Sequence, residues 1–376
     1  MRFLLQKEVG RRYEELFEQK ESSVVSLFGT KNAGWIGVDI GSSAVKLAVV
    51  SASGKGVELT AYAIVSLPAT AVVDGNVQEP DVVAEAIERG LKISGAKSKL
   101  AITSVPSSAV ITKDLQISDA FIGMELEEQV RVEADQFVPY ALDEVALDFQ
   151  VVGPVQGNNA LNEILLVACR RDDVANREDA LDSAGLKCEV VDVDTYVMER
   201  VLPWLDRDAE PGTVGVVDLG ASTLTLNVLR EGKVIYNREQ AFGGNELSNT
   251  IQQQYGIEVA EVEQQLRMRE ISDEIEEMLV QPFATAVAQQ VSRALQFYYS
   301  SGSRNQLDRV YLCGGVAGIE DLDSIVGGEI GVETLIANPC AGMKVASKIN
   351  PVKLEVDAPT LVKAVGMALR SLEKQG

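Results

Sequence analysis

The 376-residue sequence contains no histidine. This absence excludes Ser-His-Asp catalysis, a histidine general base and the most common protein ligand of transition metals. Cysteine is scarce, and its four residues form no Cys-x-x-Cys pair and no zinc-type spacing: Cys169, Cys188, Cys313 and Cys340. We therefore expect four free thiols in a reducing compartment.

Long apolar runs and an excess of positive charge are also missing. No apolar run reaches the length of about 20 residues that a transmembrane helix needs, and no signal-peptide pattern begins the chain. The 34 basic and 56 acidic residues give a formal charge of −22. This balance argues against nonspecific nucleic-acid binding and against unaided adhesion to anionic lipid. We expect a cytoplasmic protein that reaches a membrane only through partners.

A duplicated strand–turn–strand pattern is the most informative feature that is present. The stretches at residues 35–50 and 214–229 read WIGVDIGSSAVKLAVV and VGVVDLGASTLTLNVL. Their aspartates, Asp39 and Asp218, are 179 positions apart, and five further positions are identical at the same offset. A repeat at half-chain spacing predicts two related domains that each contribute one loop to a shared cleft.

Each turn has the chemistry of a phosphate-binding loop. Glycine permits a sharp turn, and the turned backbone N–H groups form a concavity that suits an anion. Four hydroxyl side chains add hydrogen-bond donors: Ser42, Ser43, Ser222 and Thr223. A magnesium ion between Asp39 and Asp218 would balance two carboxylates beside phosphates. The alternative is a pair of ordinary hairpin turns, but their recurrence favours a nucleoside triphosphate site.

Three further features are candidates for nucleotide contacts. Gly314 and Gly315 follow a predicted strand, where they either let a base and ribose approach the backbone or form an ordinary strand–helix turn. Lys46 either reaches a β- or γ-phosphate or is a solvated surface lysine. Arg267 either contacts a purine or lies on a solvated helix face. No Gly-x-x-x-x-Gly-Lys-Ser/Thr run exists, which excludes the phosphate-loop NTPase class.

The chain divides into four predicted parts. Residues 1–31 form an extension whose apolar residues have helical spacing, although an upstream start codon or an added leader is an alternative interpretation. An α+β block at residues 107–187 interrupts the first lobe. The two lobes are predicted at residues 32–106, 188–212 and 355–376 and at residues 213–354. Strands alternating with helices in two related halves predict an α/β architecture with mixed sheets.

The sequence resembles the superfamily of actin, Hsp70 and the sugar kinases in its two Asp-Gly hairpins, its Gly-Gly turn and its duplicated domain. The block at residues 107–187 is similar in place and size to the inserted subdomain of FtsA-like proteins. Three stretches resemble the PilM family, actin-like components of type IV pilus assembly: EADQFVPYALDEV from residue 133, LLVACRRDDV from residue 165 and ANPCAGM from residue 337. The resemblance implies a two-lobed actin-like (ribonuclease H-like) ATPase fold with an FtsA-type inserted α+β subdomain.

The resemblance also implies ATP or ADP as ligand, with Mg²⁺ held through water by Asp39 and Asp218. The implied nucleotide-binding residues are Asp39, Gly41, Ser42, Ser43, Lys46, Gly220, Ala221, Ser222, Thr223, Gly243, Gly244, Arg267, Gly314, Gly315 and Val316. With histidine absent, Asp218 is the candidate to orient an attacking water. The second loop has Gly-Ala-Ser instead of the commoner Gly-Gly-Gly or Gly-Ala-Gly, so at most slow ATP hydrolysis is expected.

The function that the resemblance implies is that of a cytoplasmic adaptor in the pilus inner-membrane complex, a role connected with twitching motility. Its groove between the first lobe and the inserted subdomain would bind the cytoplasmic N-terminal tail of the membrane protein PilN, and a homo-oligomer or ring would be coupled indirectly to the motor ATPases. Two alternatives stay open at this point. One is an FtsA-type division protein tethered to the membrane, with the N-terminal extension as its anchor. The other is a small-molecule kinase.

Overall fold

The first lobe begins with a three-stranded antiparallel unit. The structure is a computed structural model that describes residues 34–54, 56–207, 209–302 and 306–373, so the predicted extension at residues 1–31 lies outside the described residues. The first elements in chain order are β1 (Ile36–Ile40), β2 (Ala44–Ser53), β3 (Gly56–Ser66), the hairpin β4 (Val72–Val73) and β5 (Asn76–Val77), helix α1 (Pro80–Ser94) and β6 (Leu100–Val105).

A small inserted subdomain follows β6. Its elements are β7 (Val110–Ser118), α2 (Met124–Ala134), β8 (Val145–Val155) and β9 (Asn158–Arg170). The strands form an antiparallel sheet in the order β7-β9-β8, and α2 buries Val130 and Ala134 in its apolar cluster. The chain then returns to the first lobe through α3 (Arg171–Ser183), β10 (Lys187–Val193) and α4 (Asp194–Leu205).

The second lobe repeats the plan of the first. Its elements are β11 (Thr213–Leu219), β12 (Thr223–Arg230), β13 (Lys233–Ala241), α5 (Asn245–Tyr255), α6 (Val259–Met268), the short turn α7 (Asp273–Ile275), α8 (Gln281–Ser300), β14 (Arg309–Cys313), α9 (Leu322–Ile330) and β15 (Glu333–Ile336). A π-helical segment, Glu276–Val280, leads into α8. The last elements are β16 (Lys344–Val345), α10 (Pro351–Asp357) and α11 (Val362–Leu369).

The two large sheets have the same strand order. The first runs β10-β6-β1-β2-β3-β16 and the second runs β15-β14-β11-β12-β13. In both, two antiparallel pairs adjoin two parallel pairs, and the first sheet has a third parallel pair between β3 and β16. The offset of 179 is kept in the register, since Asp39 lies opposite Lys46 and Asp218 lies opposite Thr225. This topology confirms the predicted two-lobed actin-like fold.

An apolar core lies between the lobes as well as within each. The interlobe cluster joins Ala48, Val50 and Leu59 of the first sheet to Val214, Val216 and Tyr311 of the second. Helices α4 and α11 contribute much of the remaining surface of this cluster, including Trp204 and Val365. The lobes are therefore packed on each other through two shared helices. The N-terminal end of α11 lies beside the loops that follow β1 and β11.

Several boundaries differ from the sequence prediction. Helix α3 was predicted within the inserted block, but its Ala180 and Leu181 are buried in the core of the first lobe with Ile87 of α1. Strand β16 was predicted with the second lobe and pairs with β3 of the first. Helix α11 is extended at both ends by 3-10 turns, Ala358–Leu361 and Arg370–Leu372. Among the described residues, no helix is long and apolar enough to cross a membrane.

Candidate functional site

The two Asp-x-Gly loops have the same backbone conformation and meet at the lobe boundary. The N–H of Gly41 donates to the carbonyl oxygen of Ala44 at 3.1 Å, and the N–H of Gly220 donates to that of Thr223 at 2.9 Å. Ser222 Oγ of the second loop donates to Ser42 Oγ of the first at 2.9 Å. The duplicated sequence pattern therefore forms a pair of facing loops.

A cavity of about 200 Å³ lies between the lobes beside these loops. The predicted site residues that line it are Asp39, Gly41, Ser42, Ser43, Lys46, Asp218, Gly220, Ala221, Thr223, Gly244, Arg267, Gly314, Gly315 and Val316. They come from β1, β2, β11, β12, α6 and the turns after β13 and β14. The fold thus brings together residues that are up to 277 positions apart in sequence, from Asp39 to Val316.

Two of the residues predicted to bind nucleotide, Ser222 and Gly243, do not line this cavity. Ser222 lines a second cavity of about 70 Å³ behind the loops. Gly243 supports the second loop from below, where a Cβ atom would lie 2.5 Å from the carbonyl oxygen of Ala221. Gly243 therefore acts by allowing two backbone segments to touch, which is a structural role next to the cavity.

Two glycines leave room that a side chain would fill. A Cβ atom at Gly41 would lie 2.5 Å from Lys46 Nζ, so this glycine lets the ammonium lie across the first loop. Gly314 has φ of 89° and ψ of 177°, a conformation that glycine alone adopts readily. A Cβ atom there would also lie 2.3 Å from the carbonyl oxygen of Leu219. Both glycines therefore allow close contacts within the site that a side chain would prevent.

A cluster of carboxylates and ammonium groups lies at the point where the loops meet. Asp39 Oδ2 pairs with Lys46 Nζ at 3.2 Å, as their opposite positions on β1 and β2 predict. Lys363 Nζ lies 3.1 Å from Asp218 Oδ2, 3.5 Å from Asp194 Oδ2 and 3.9 Å from Asp39 Oδ1. One lysine therefore contacts carboxylates of both lobes.

Sequence reasoning missed Lys363 and Asp194. Lys363 is carried by α11, which approaches β1 so closely that a Cβ atom at Gly37 would lie 2.0 Å from the carbonyl oxygen of Ala364. Asp194 begins α4 at the carboxyl end of β10 and accepts a hydrogen bond from Ser104 Oγ at 2.6 Å. The available signal was a single lysine in the otherwise apolar run of residues 361–369, because a buried ammonium needs acidic partners.

Burial and neighbouring charge shift several pKa values in this cluster. Burial raises the pKa of Asp39, but the ammonium groups of Lys46 and Lys363 outweigh it and hold the carboxyl below its ordinary pKa. Burial also raises the pKa of Asp194, and Lys363 compensates this in part. Burial alone would lower the pKa of Lys363, but Asp194, Asp218 and Asp39 raise it, so the amine stays charged.

The end of the cavity at α6 has a different character. Arg267 Nε is buried and has no hydrogen-bond partner among the described residues. Burial raises the pKa of the adjacent Glu263, although the positive charges of Arg267 and Lys46 oppose this shift. Leu247, Phe283 and Ile319 add apolar surface. An unsatisfied guanidinium atom beside apolar walls suits a flat group with hydrogen-bond acceptors, such as a nucleobase.

The donors fit a nucleotide better than they fit a metal ion. The cavity is lined by the glycine loops, by hydroxyl groups and by Lys46 and Arg267. Within the described part of the chain, no group of three or more acidic or cysteine side chains is arranged to hold a metal ion. Asp39 and Asp218 already have ammonium partners. Their assignment to magnesium stays a prediction.

Burial and pairing of the cysteines agree with the sequence prediction. All four are free thiols, and Cys169, Cys313 and Cys340 are buried. Burial raises the pKa of Cys313, which lines the cavity beside Asp218, well above its ordinary value. The thiol is therefore protonated at neutral pH and is a poor nucleophile.

Comparison with known proteins gives matches over most of the chain. A family model described as type IV pilus assembly protein PilM matches residues 37–372. A chain of the solved PilM-PilN type IV pilus biogenesis complex is similar with a TM-score of 0.72 and 26% sequence identity, covering 90% of this chain and 99% of that chain.

A second group of relatives is similar in fold. The ethanolamine utilization protein EutJ of Escherichia coli (strain K12) is 36% identical over 88 residues, which is 23% of this chain and 29% of that protein. The part of EutJ that this chain matches in sequence is therefore less than a third of the length of that protein. The solved EutJ of Carboxydothermus hydrogenoformans has a TM-score of 0.53 at 18% identity and covers 89% of both chains, a likeness of fold alone.

Proposed function

The chain belongs to the PilM family of type IV pilus assembly proteins, and we propose that it is an ATP-binding adaptor of the pilus inner-membrane complex. The family match extends over residues 37–372, which include both lobes and the insert. Of the functions predicted from the sequence, this match favours pilus assembly over a division protein and over a small-molecule kinase.

The proposed ligand is ATP or ADP, bound in the cavity between the lobes. The observation that carries this assignment is the pair of facing glycine loops together with the unbonded Arg267 Nε in the same cavity. Backbone N–H groups and Lys46 suit the phosphates. Gly314 and Gly315 let the ribose and base approach the backbone, and Arg267 bonds or stacks on the purine. Val316 and Gly244 add to the cavity wall beside the second loop, where the N–H of Gly244 donates to the carbonyl oxygen of Gly220 at 3.0 Å.

Hydrolysis of the bound ATP is proposed to be slow at most. Asp218 is the candidate to orient an attacking water, but its carboxylate lies 3.1 Å from the Lys363 ammonium. The ammonium competes with a water molecule for this carboxylate oxygen. The side chains of Ala221 and Ser222 also make the second loop less adaptable than a run of glycines.

The proposed partner is the cytoplasmic N-terminal tail of the membrane protein PilN. The similar solved structure is a complex of PilM with PilN, which supports this assignment. We place the tail in the groove between the first lobe and the inserted subdomain, where Val105 and Val193 of the first lobe pack with Val167 of the insert. Through PilN the adaptor would lie at the inner membrane, form rings or other homo-oligomers and act indirectly on the motor ATPases.

Replacement of Arg267 tests the nucleotide site. The Arg267→Met variant should bind ATP at least about tenfold more weakly than the wild type, because it loses the hydrogen bond to the base. Arg269→Met is the matched control, since Arg269 lies on the surface in a pair with Glu320 at 3.4 Å. Calorimetric titration with ATP measures both affinities. Equal weakening in both variants, or no ATP binding by the wild type, would refute the assignment.

A further inference from the structure

One ammonium group occupies the position between the two loop carboxylates. Lys363 Nζ lies 3.1 Å from Asp218 of the second lobe and 3.9 Å from Asp39 of the first. These are the two residues that sequence reasoning assigns to magnesium. The same lysine lies 3.5 Å from Asp194, so three carboxylates surround it.

The charges of this cluster are already close to balance. Asp39, Asp194 and Asp218 contribute three negative charges, and Lys46 and Lys363 contribute two positive ones. A divalent cation between Asp39 and Asp218 would lie in contact range of the Lys363 ammonium. Like charges repel strongly where water is largely excluded, and the Lys363 side chain is 22% exposed. The ion and the ammonium are therefore alternatives at one position.

The fold holds Lys363 at this position from two sides. Its helix, α11, cannot move towards β1 because Gly37 already lies against the carbonyl oxygen of Ala364. On its other face, a Cβ atom at Gly366 would lie 2.8 Å from Val197 of α4. The turn before the helix is bonded to the second lobe, where the N–H of Gly314 donates to the carbonyl oxygen of Pro359 at 2.9 Å.

We propose that Lys363 is a resident cation that replaces magnesium in this site. The inference rests on the proposed nucleotide function and goes beyond it by stating which cation meets the phosphates. The ammonium balances Asp39 and Asp218 in the free protein and lies beside the phosphate end of the cavity, next to Lys46. Nucleotide therefore binds with little dependence on divalent cations, and the ammonium links the two lobes in place of a metal bridge.

The test compares ATP affinity in EDTA and in excess Mg²⁺. The wild type should change by less than about threefold between the two conditions. Lys363→Met removes the ammonium with little change in length, and its affinity in EDTA should fall at least about tenfold and recover with Mg²⁺. Lys92→Met is the control for net charge, because Lys92 is 76% exposed on α1. A wild type that loses about tenfold or more of its affinity in EDTA would overturn the proposal.

A second measurement needs no nucleotide. Without Lys363 the three carboxylates lose the ammonium that contacts all of them, so Mg²⁺ should raise the melting temperature of Lys363→Met more than that of Lys92→Met. The wild type should respond to Mg²⁺ like Lys92→Met. Equal responses in all three proteins would overturn the proposal. Failure of every protein to bind ATP would instead refute the nucleotide function and leave this melting comparison as the test of Lys363.

Discussion

At the residue scale, Gly314 and Gly315 are adjacent and have different roles. Gly314 combines φ of 89° with a close approach to the backbone of Leu219. Gly315 has open space where its side chain would be and lines the cavity. The first glycine is required by the fold, whereas the second leaves room for a ligand.

This difference predicts that an alanine substitution affects stability at Gly314 and ATP binding at Gly315. Gly314→Ala should lower the free energy of unfolding by about 1–3 kcal/mol for the strained conformation, and by more for the overlap with Leu219. Gly315→Ala should leave stability within about 0.5 kcal/mol of the wild type and weaken ATP binding. Urea unfolding and calorimetry measure the two effects. Similar loss of stability in both variants would contradict these roles.

The loop residues and Lys46 could be predicted from the sequence, whereas Lys363 could not. Asp39 and Asp218 are found by their repetition, and Lys46 by its place opposite Asp39 on a hairpin. Lys363 meets them only after α11 is packed between the lobes, 145 positions beyond Asp218. Local patterns contain no information on such a contact, because it depends on the packing of both sheets.

At the scale of elements, a buried ion cluster joins β10, α4 and the turn after α11. Asp192 Oδ2 accepts from Arg200 at 3.0 Å and from Arg370 at 2.6 Å. Arg200 Nε also donates to Glu373 at 2.7 Å. Burial raises the pKa of Asp192, but the two guanidinium groups outweigh this and hold it below the ordinary value. The cluster fixes the C-terminal end of the helix that carries Lys363.

Removal of the Asp192 charge should therefore destabilise the fold. Asp192→Asn is expected to lower the free energy of unfolding by about 3–5 kcal/mol at neutral pH, because the buried Arg200 and Arg370 lose the charged carboxylate that joins them. Asp172→Asn is the control, since Asp172 is 77% exposed in a surface pair with Arg170, and it should cost less than about 1 kcal/mol.

The same prediction has a pH dependence of defined sign. Because the pKa of Asp192 is lower in the folded protein, its contribution is present above the ordinary aspartate pKa of about 4 and is lost as the pH falls towards the folded value. The difference between wild type and Asp192→Asn should thus become smaller below about pH 4. Urea unfolding across pH 3–7 measures it, and a constant difference would contradict the assignment.

Most helices and strands of both lobes could be predicted from sequence periodicity, but the elements against which each one packs could not. The strand predicted before Gly314 is present as β14. Helix α3 was recognised as a helix and assigned to the wrong unit, because its period identifies an apolar face but not the surface that this face covers. Strand β16 has two residues, too few for any alternating pattern.

At the scale of the whole molecule, the nucleotide cavity is connected to the inserted subdomain by one segment. The Ser104 hydroxyl donates a hydrogen bond to Asp194. Ser107 lies at the start of the insert, and its hydroxyl oxygen is 2.5 Å from that of Thr195. Ser108 Oγ donates to Glu239 of the second lobe at 3.2 Å. A change in the angle between the lobes would therefore act on the junction between the first lobe and the insert, where we place the PilN tail.

This connection predicts that ATP changes the affinity for the partner, since a ligand shifts the protein towards the conformation that it binds best. The most direct test is calorimetric titration of the cognate PilN N-terminal tail peptide into the protein with and without ATP. The account predicts binding in both conditions, with affinities that differ by at least about fivefold. A peptide that does not bind in either condition, or that binds equally in both, would contradict an ATP-gated pilus adaptor.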